Sequence, residues 1–210
     1  MRRHHHATVL SALLALASLS AGGEESAKPA QTGPTVGDLL KVIESRQAHR
    51  LDPAVLRMLP DADVEQAVVD YVVSKLEGKE DHEAEIVAGL PVGVRATWLT
   101  WIVEGEVNNG GFNQYYFNTD GEFASDAVTA FEYFGAKEHA ALMKEANAVR
   151  AAEAAEMAKF KAQGTLAAFS ESYKHSRLGP LDSNFYKLTE NLSQLRIARI
   201  RQKPDEFAGE

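Results

Sequence analysis

Residues 104–121 read EGEVNNGGFNQYYFNTDG, a composition that helix packing alone does not explain. Two Asn and two Gly in succession end a long apolar helical pattern that runs through Trp98, Trp101, Ile102 and Val103. Glycine reaches positive φ without a Cβ penalty and asparagine is the next most permissive residue, so Asn108, Asn109, Gly110 and Gly111 read as a specific backbone turn. Phe112, Tyr115, Tyr116 and Phe117 follow at once and need a core to enter. Ten aromatic residues fall between Trp98 and Phe134, which places the densest packing around this turn. The amides of Asn108, Asn109, Asn113, Gln114 and Asn118 have two readings: they satisfy backbone groups at helix ends, or they line a polar pocket beside Tyr115 and Tyr116.

Working outward, every periodic stretch is helical. Thr35 opens a helix with Asp38 in a capping-box-like position and an apolar stripe of Leu39, Leu40, Val42 and Ile43. Asp52-Pro53 starts a short second helix, with Asp as N-cap and Pro in the first turn, and Pro60 closes it. A third helix begins near Asp61 and ends at Gly78; Asp81 caps a short one that ends at Gly89; Pro91 opens the segment leading into the turn. After the turn, Asp120 or Gly121 precedes a helix carrying Phe123, Ala127, Ala130, Phe131 and Phe134. Residues 138–162 are rich in Ala, Glu and Lys, and further helices are expected near 165–176 and over 183–201. The fold class is therefore all-α, one compact domain of about seven to nine helices over 35–207, without repeats or heptads.

The first 34 residues read differently. Arg2 and Arg3 with three histidines form a positive start, and residues 7–21 are an apolar Ala/Leu run of signal-peptide length, shorter than the ~20 residues a bilayer span needs. Cleavage fits after Ala17 or after Ala21, and Gly22 stands where a lipidated Cys would have to be. The expectation is a signal peptide over 1–21, a flexible polar linker over 22–34, an envelope, periplasmic or secreted location, and no membrane span after processing. An uncleaved signal would leave the protein in the cytoplasm. Cysteine is absent, which removes disulfides, thiol catalysis and thiolate metal sites.

Charge is unevenly spread. The formal net charge is -8, yet residues 61–132 hold 15 Asp and Glu against Lys75, Lys79 and Arg95, whereas residues 133–203 hold 12 basic against 7 acidic residues. No Lys or Arg occurs between Arg95 and Lys137, while Glu104, Glu106, Asp120, Glu122, Asp126 and Glu132 all lie there. Such a chain suits a basic protein partner and not nucleic acid, whose phosphates call for a basic footprint. Glu122 and Asp126, four apart, would share a helix face about 6 Å apart along the axis, against a phosphate spacing of ~3.4 Å per strand of duplex DNA. Glu104 and Glu106 would diverge by about 200° on a helix, which argues against an acid/base dyad. His49, His82, His139 and His175 are scattered, and no HExxH, EF-hand ladder, nucleophile triad or phosphate-binding glycine loop occurs, so neither a metal nor a cofactor is expected. Arg196, Arg199 and Arg201 are expected to pair with the acidic half at the surface, in cis or across a dimer.

The motif also carries a resemblance. EVNNGGFNQYYFN, preceded by Leu90-Pro91 and followed by Tyr133-Phe134-Gly135-Ala136, by Leu181-Asp182-Ser183-Asn184-Phe185-Tyr186 and by the RQKPDEF run at 201–207, resembles a bacterial family of small helical proteins known in one branch as DNA-mimic proteins. The likeness spans roughly 60–207. It implies an acidic, all-helical, non-enzymatic dimer whose carboxylates stand in for phosphates and occupy a DNA-binding regulator. Under this reading Glu104, Glu106, Asp120, Glu122, Asp126 and Glu132 contact a basic protein, and Asn108, Asn109, Gly110, Gly111, Phe112, Gln114, Tyr115 and Asn118 are structural. The alternative is an envelope enzyme or small-ligand binder centred on residues 104–118, with Glu106 as its carboxylate.

Overall fold

The computed structural model describes residues 50–209, so the signal-like segment, the linker and the helix expected from Thr35 lie outside the described residues. Among the described residues there are nine α-helices, two 3₁₀ turns and no strand beyond one isolated bridge, Leu51 with Gly209, which ties the two ends together. The helices are α1 Pro53–Met58, α2 Asp61–Leu76, α3 Glu83–Gly89, α4 Val92–Thr119, α5 Ala124–Phe134, α6 Lys137–Gln163, α7 Leu166–His175, α8 Gly179–Phe185 and α9 Leu192–Gln202. The all-α expectation is met.

Local chemistry sets most of the boundaries. Asp52 caps α1 by accepting from the Ala54 N–H at 2.7 Å, with Pro53 in the first turn. Pro60 and Pro91 sit at the N-caps of α2 and α4, and Gly135 in the left-handed region (φ 76°) lets α5 end and α6 begin within three residues. The helix expected over 183–201 is two: α8 starts at Gly179-Pro180 and stops at Phe185, and α9 starts afresh where the Asn191 side chain accepts from the Gln194 N–H at 2.9 Å. A 3.6-residue pattern misses that break because the Asn cap, not a Gly or Pro, begins the second segment.

Helix α4 is apolar on nearly all sides and forms the axis of the molecule, as a helix must that has neighbours all round. Helices α2, α5 and α8 and the C-terminal 3₁₀ turn Pro204–Phe207 pack directly on it, α6 lies along α5, and α9 crosses α2. Trp98, Phe112, Tyr115, Tyr116, Phe131, Met143, Ile200 and Phe207 are fully buried around this axis. No described helix is long and apolar enough to cross a membrane.

Candidate functional site

Two places deserve the name of candidate site: the Asn-Asn-Gly-Gly bend in α4, and the acidic surface where α4 hands over to α5. At the bend the chain does not leave the helix as the turn reading expects. Asn108 and Asn109 remain helical, Gly110 (φ −158°, ψ 27°) and Gly111 (φ 73°, ψ 179°) break the axis, and the helix resumes from Phe112. Only Gly111 occupies the left-handed region; Gly110 is extended, and its lack of a side chain matters for space, since a Cβ there would meet Gln114 Cδ at 2.9 Å and the Tyr173 hydroxyl at 3.0 Å.

The helix can restart because a distant carboxylate caps it. Asp182, on α8, accepts from the Phe112 N–H at 2.7 Å, and a Cβ on Gly111 would sit 2.6 Å from Asp182 Cγ. The Tyr173 hydroxyl donates to the Gly110 carbonyl and the Tyr186 hydroxyl to the Val107 carbonyl, each at 2.7 Å. Across the bend, Gln114 and Asn118 donate their amides to Glu106 Oε2 at 2.7 and 2.8 Å, while Asn109 donates to Gln114 at 3.1 Å. Asn113 donates to Ser172 at 2.8 Å. Asn109, Asn113, Gln114 and Asn118 are thus engaged within the protein, but with its side chains and not with the backbone groups at helix ends that the first reading of the amides expects.

Burial decides the electrostatics of the bend. Glu106 is 1% exposed, and burial pushes its carboxyl above the usual range against the two amide hydrogen bonds, which pull it down. Asp182 is raised for the same reason, partly offset by the Phe112 N–H. Tyr173 is pushed up to about 12, by burial first and by the Asp182 charge next. Asp182, Tyr173 and Tyr186 are the residues that sequence reading misses as members of this cluster. No local spacing signals them, because Asp182 stands 70 positions from the amide it caps.

The six carboxylates between Arg95 and Lys137 do not form one face. Glu104 and Glu106 diverge as two residues on a helix do: Glu106 faces the bend, whereas Glu104 meets Arg196 at 2.5 Å. Arg196 is itself buried at 2% exposure, held also by Glu65 at 2.5 Å and by the Thr100 hydroxyl at 3.3 Å. Its pairing in cis is as expected, but in the interior and not at the surface, because α9 lays it into the seam between α2 and α4. Arg199 pairs with Glu206 at 2.8 Å and Arg201 with Asp61 at 2.7 Å, so the basic final helix spends its charge on its own chain. Asp120 pairs with Lys161, and Glu132 with Lys144 at 2.6 Å.

Glu122 and Asp126 are left. Both are exposed, and among the described residues neither is engaged by a cation or a hydrogen-bond donor. They do not share a helix face, because α5 begins only at Ala124: Asp120 (φ 57°) and Gly121 (φ 73°) turn the chain through the left-handed region and place Glu122 in the turn ahead of the helix. Asp126 lies in the first turn of α5, where a negative charge suits the helix dipole. Among the described residues no group of three or more His, Asp and Glu is arranged to hold a metal.

Residues 88–203 match the family model described as DMP19-like protein. The chain belongs to the DMP19-like family. The matched segment runs from the end of α3 to just past α9 and so contains the bend, Asp182 and the acidic turn. Membership supports the resemblance to DNA-mimic proteins and, with it, an association with DNA-binding proteins at the level of the family. No curated protein and no solved structure matches the chain.

Proposed function

We propose that this DMP19-like chain is a non-enzymatic acidic binding protein that masks a basic protein surface, its carboxylates taking the places of nucleic-acid phosphates. One observation carries the reading. Among the described residues Glu122 and Asp126 stand exposed without a cation of their own, in a stretch of 41 residues, 96–136, that contains no Lys or Arg. Charges already paired in cis have little left to offer a partner, whereas unpaired ones gain by meeting one and steer its approach. Asp120 and Glu132 flank them and join the contact by exchanging Lys161 and Lys144 for the partner's cations. Glu104 and Glu106 serve from beneath, by holding α9 and the bend in place. The segment over 1–21 further suggests that the partner is met in the bacterial envelope, where a basic exported protein would take the place of a transcription regulator.

The test is capture of partners from the native host with the mature chain, at low and high salt, beside the Glu122→Lys/Asp126→Lys double variant. A basic protein retained at low salt should be lost at high salt, since screening shortens to about 8 Å at physiological ionic strength, and its association with the double variant should be slowed. A genuine partner whose affinity ignores both salt and the reversals would sink the masking role. N-terminal sequencing of envelope-fraction protein should find a start near Ser18 or Gly22; an intact Met1 on protein confined to the cytoplasm would move the partner back among cytoplasmic regulators.

A further inference from the structure

Asp126 does not stand on a plain convex surface. It lines a cleft of about 110 Å³ between the first half of α4 and α5, together with Val92, Leu99, Tyr133, Thr129 and Arg95. Val92 is 46% exposed, one of only a few large apolar side chains so open among the described residues. The Tyr133 wall is fixed from behind: its hydroxyl donates to Glu206 at 2.5 Å and the Arg199 guanidinium lies 4.5 Å from its ring centroid. The Arg95 side chain donates to the Ala88 carbonyl at 3.5 Å, which turns it toward the end of α3.

A cleft that sets apolar side chains beside an uncommitted carboxylate has a natural complement. Lysine and arginine side chains lay their methylene stems along apolar surface and keep the charged head at a polar rim. Resting on the masking role proposed above, the geometry points to this cleft as the seat of one basic side chain of the partner, its stem between Val92, Leu99 and Tyr133 and its head on Asp126. The remaining Arg95 donors face a main-chain carbonyl of the same docked segment and impose a direction on it. A buried anchor of this kind supplies specificity that a diffuse acidic surface lacks, because a pocketed side chain loses most of its contacts when it is displaced.

The probe is an oligolysine peptide titrated into the full chain at low salt, followed by the methyl NMR signals of Val92 and Leu99 and by calorimetry. Both wall residues should shift, and Asp126→Asn and Thr129→Trp should each weaken binding about tenfold. Thr129→Trp adds bulk to the exposed lining without changing net charge, and Val92→Ser repeats the test on an exposed site without added bulk; melting curves confirm that all three fold. If the peptide binds Thr129→Trp and Val92→Ser as tightly as the native chain and the wall signals stay still, the seat is overturned while the acidic masking surface survives. If the native chain itself does not bind the peptide even at low salt, both fail together. Wall signals that move on concentrating the chain without peptide would show the cleft occupied by a second copy, which also overturns the proposal.

Discussion

The bend in α4 and the turn leading into α5 are ten residues apart and made of similar material, yet they treat polar groups in opposite ways. At the bend Glu106 is surrounded by Gln114 and Asn118, Asp182 is spent on an N–H, and two tyrosine hydroxyls are spent on carbonyls. At the turn, neither Glu122 nor Asp126 is engaged by a cation or a hydrogen-bond donor among the described residues. The more distinctive sequence is therefore the more architectural one. A buried polar group must find a partner inside the protein, which demands particular residues at particular places, whereas an exposed carboxylate is satisfied by water until something better arrives.

The difference is easiest to break at Gly111. Valine there combines a β-branched residue at φ 73° with a Cβ inside contact distance of Asp182, so both the backbone and the cap of the resumed helix suffer. A loss of about 3–4 kcal/mol is expected from these two costs together. Gly110→Val should cost about 1–2 kcal/mol, because φ there lies outside the left-handed region and the added Cβ meets chiefly the end of the Gln114 side chain, whose bonds to Glu106 and Asn109 it would disturb. Denaturant melts of the two variants separate a conformational requirement from a spatial one; equal losses would mean that the bend is held by something other than Gly111 and Asp182. Between these in size stands Arg196→Ala, which strands Glu65 and Glu104 against the α2–α4 seam. A broken buried pair costs roughly 3–5 kcal/mol, and the low end is expected here because Glu104 keeps 31% of its side chain in water.

What the sequence makes legible follows from the range of the forces involved. Helix type, most helix starts and the crowding of aromatics near the bend depend on neighbours three or four residues away, and these were readable in the Asp52-Pro53 start, the Pro91 start and the Trp98 to Phe134 density. The bend was legible as a break but not as a helix that resumes, since the carboxylate that permits resumption comes from α8. Likewise the tally of six carboxylates was visible, whereas their fates were not: a sequence displays charge but neither pairing nor burial, and Glu104 is spent on Arg196 while Glu106 is buried against the amides of its own helix. The cleft beside Asp126 needed α4 and α5 to be set side by side.

Acid should act on the two regions differently. Burial raises the Glu106 carboxyl in the folded state above its unfolded value, so as pH rises the unfolded chain gives up this proton before the folded one does. Its favourable contribution is thus fully present below the ordinary carboxylate range and is lost as pH climbs through the raised value; near neutrality the buried charge is a burden that the two amides only partly relieve. Glu106→Gln removes that dependence. Measured against the native chain, the variant should gain stability between about pH 4 and pH 7, the interval above the ordinary Glu value of ~4.3. A stability difference that is flat over this interval would mean that Glu106 does not change its proton affinity on folding and that the bend is wetter than its packing implies.

The smallest effect is expected where the structure leaves carboxylates alone. Glu122→Lys and Asp126→Asn, taken singly, should each shift unfolding free energy by no more than about 0.5 kcal/mol, as surface changes away from caps, cores and networks do. Asp126 should show the larger of the two, because it lies in the first turn of α5 and a negative charge there is worth about 0.3–1 kcal/mol to an exposed helix at low salt, the upper part of which screening removes. Glu122 lies before the helix and precedes a turn already fixed by Asp120 and Gly121, so its reversal has no cap or dipole of comparable strength to disturb. Melts at two salt concentrations decide the matter. A loss above 1 kcal/mol at either position would reveal a structural partner for that carboxylate and remove it from the surface offered to a basic protein, whereas near-neutral stability combined with weakened binding is the signature of a charge kept for another molecule.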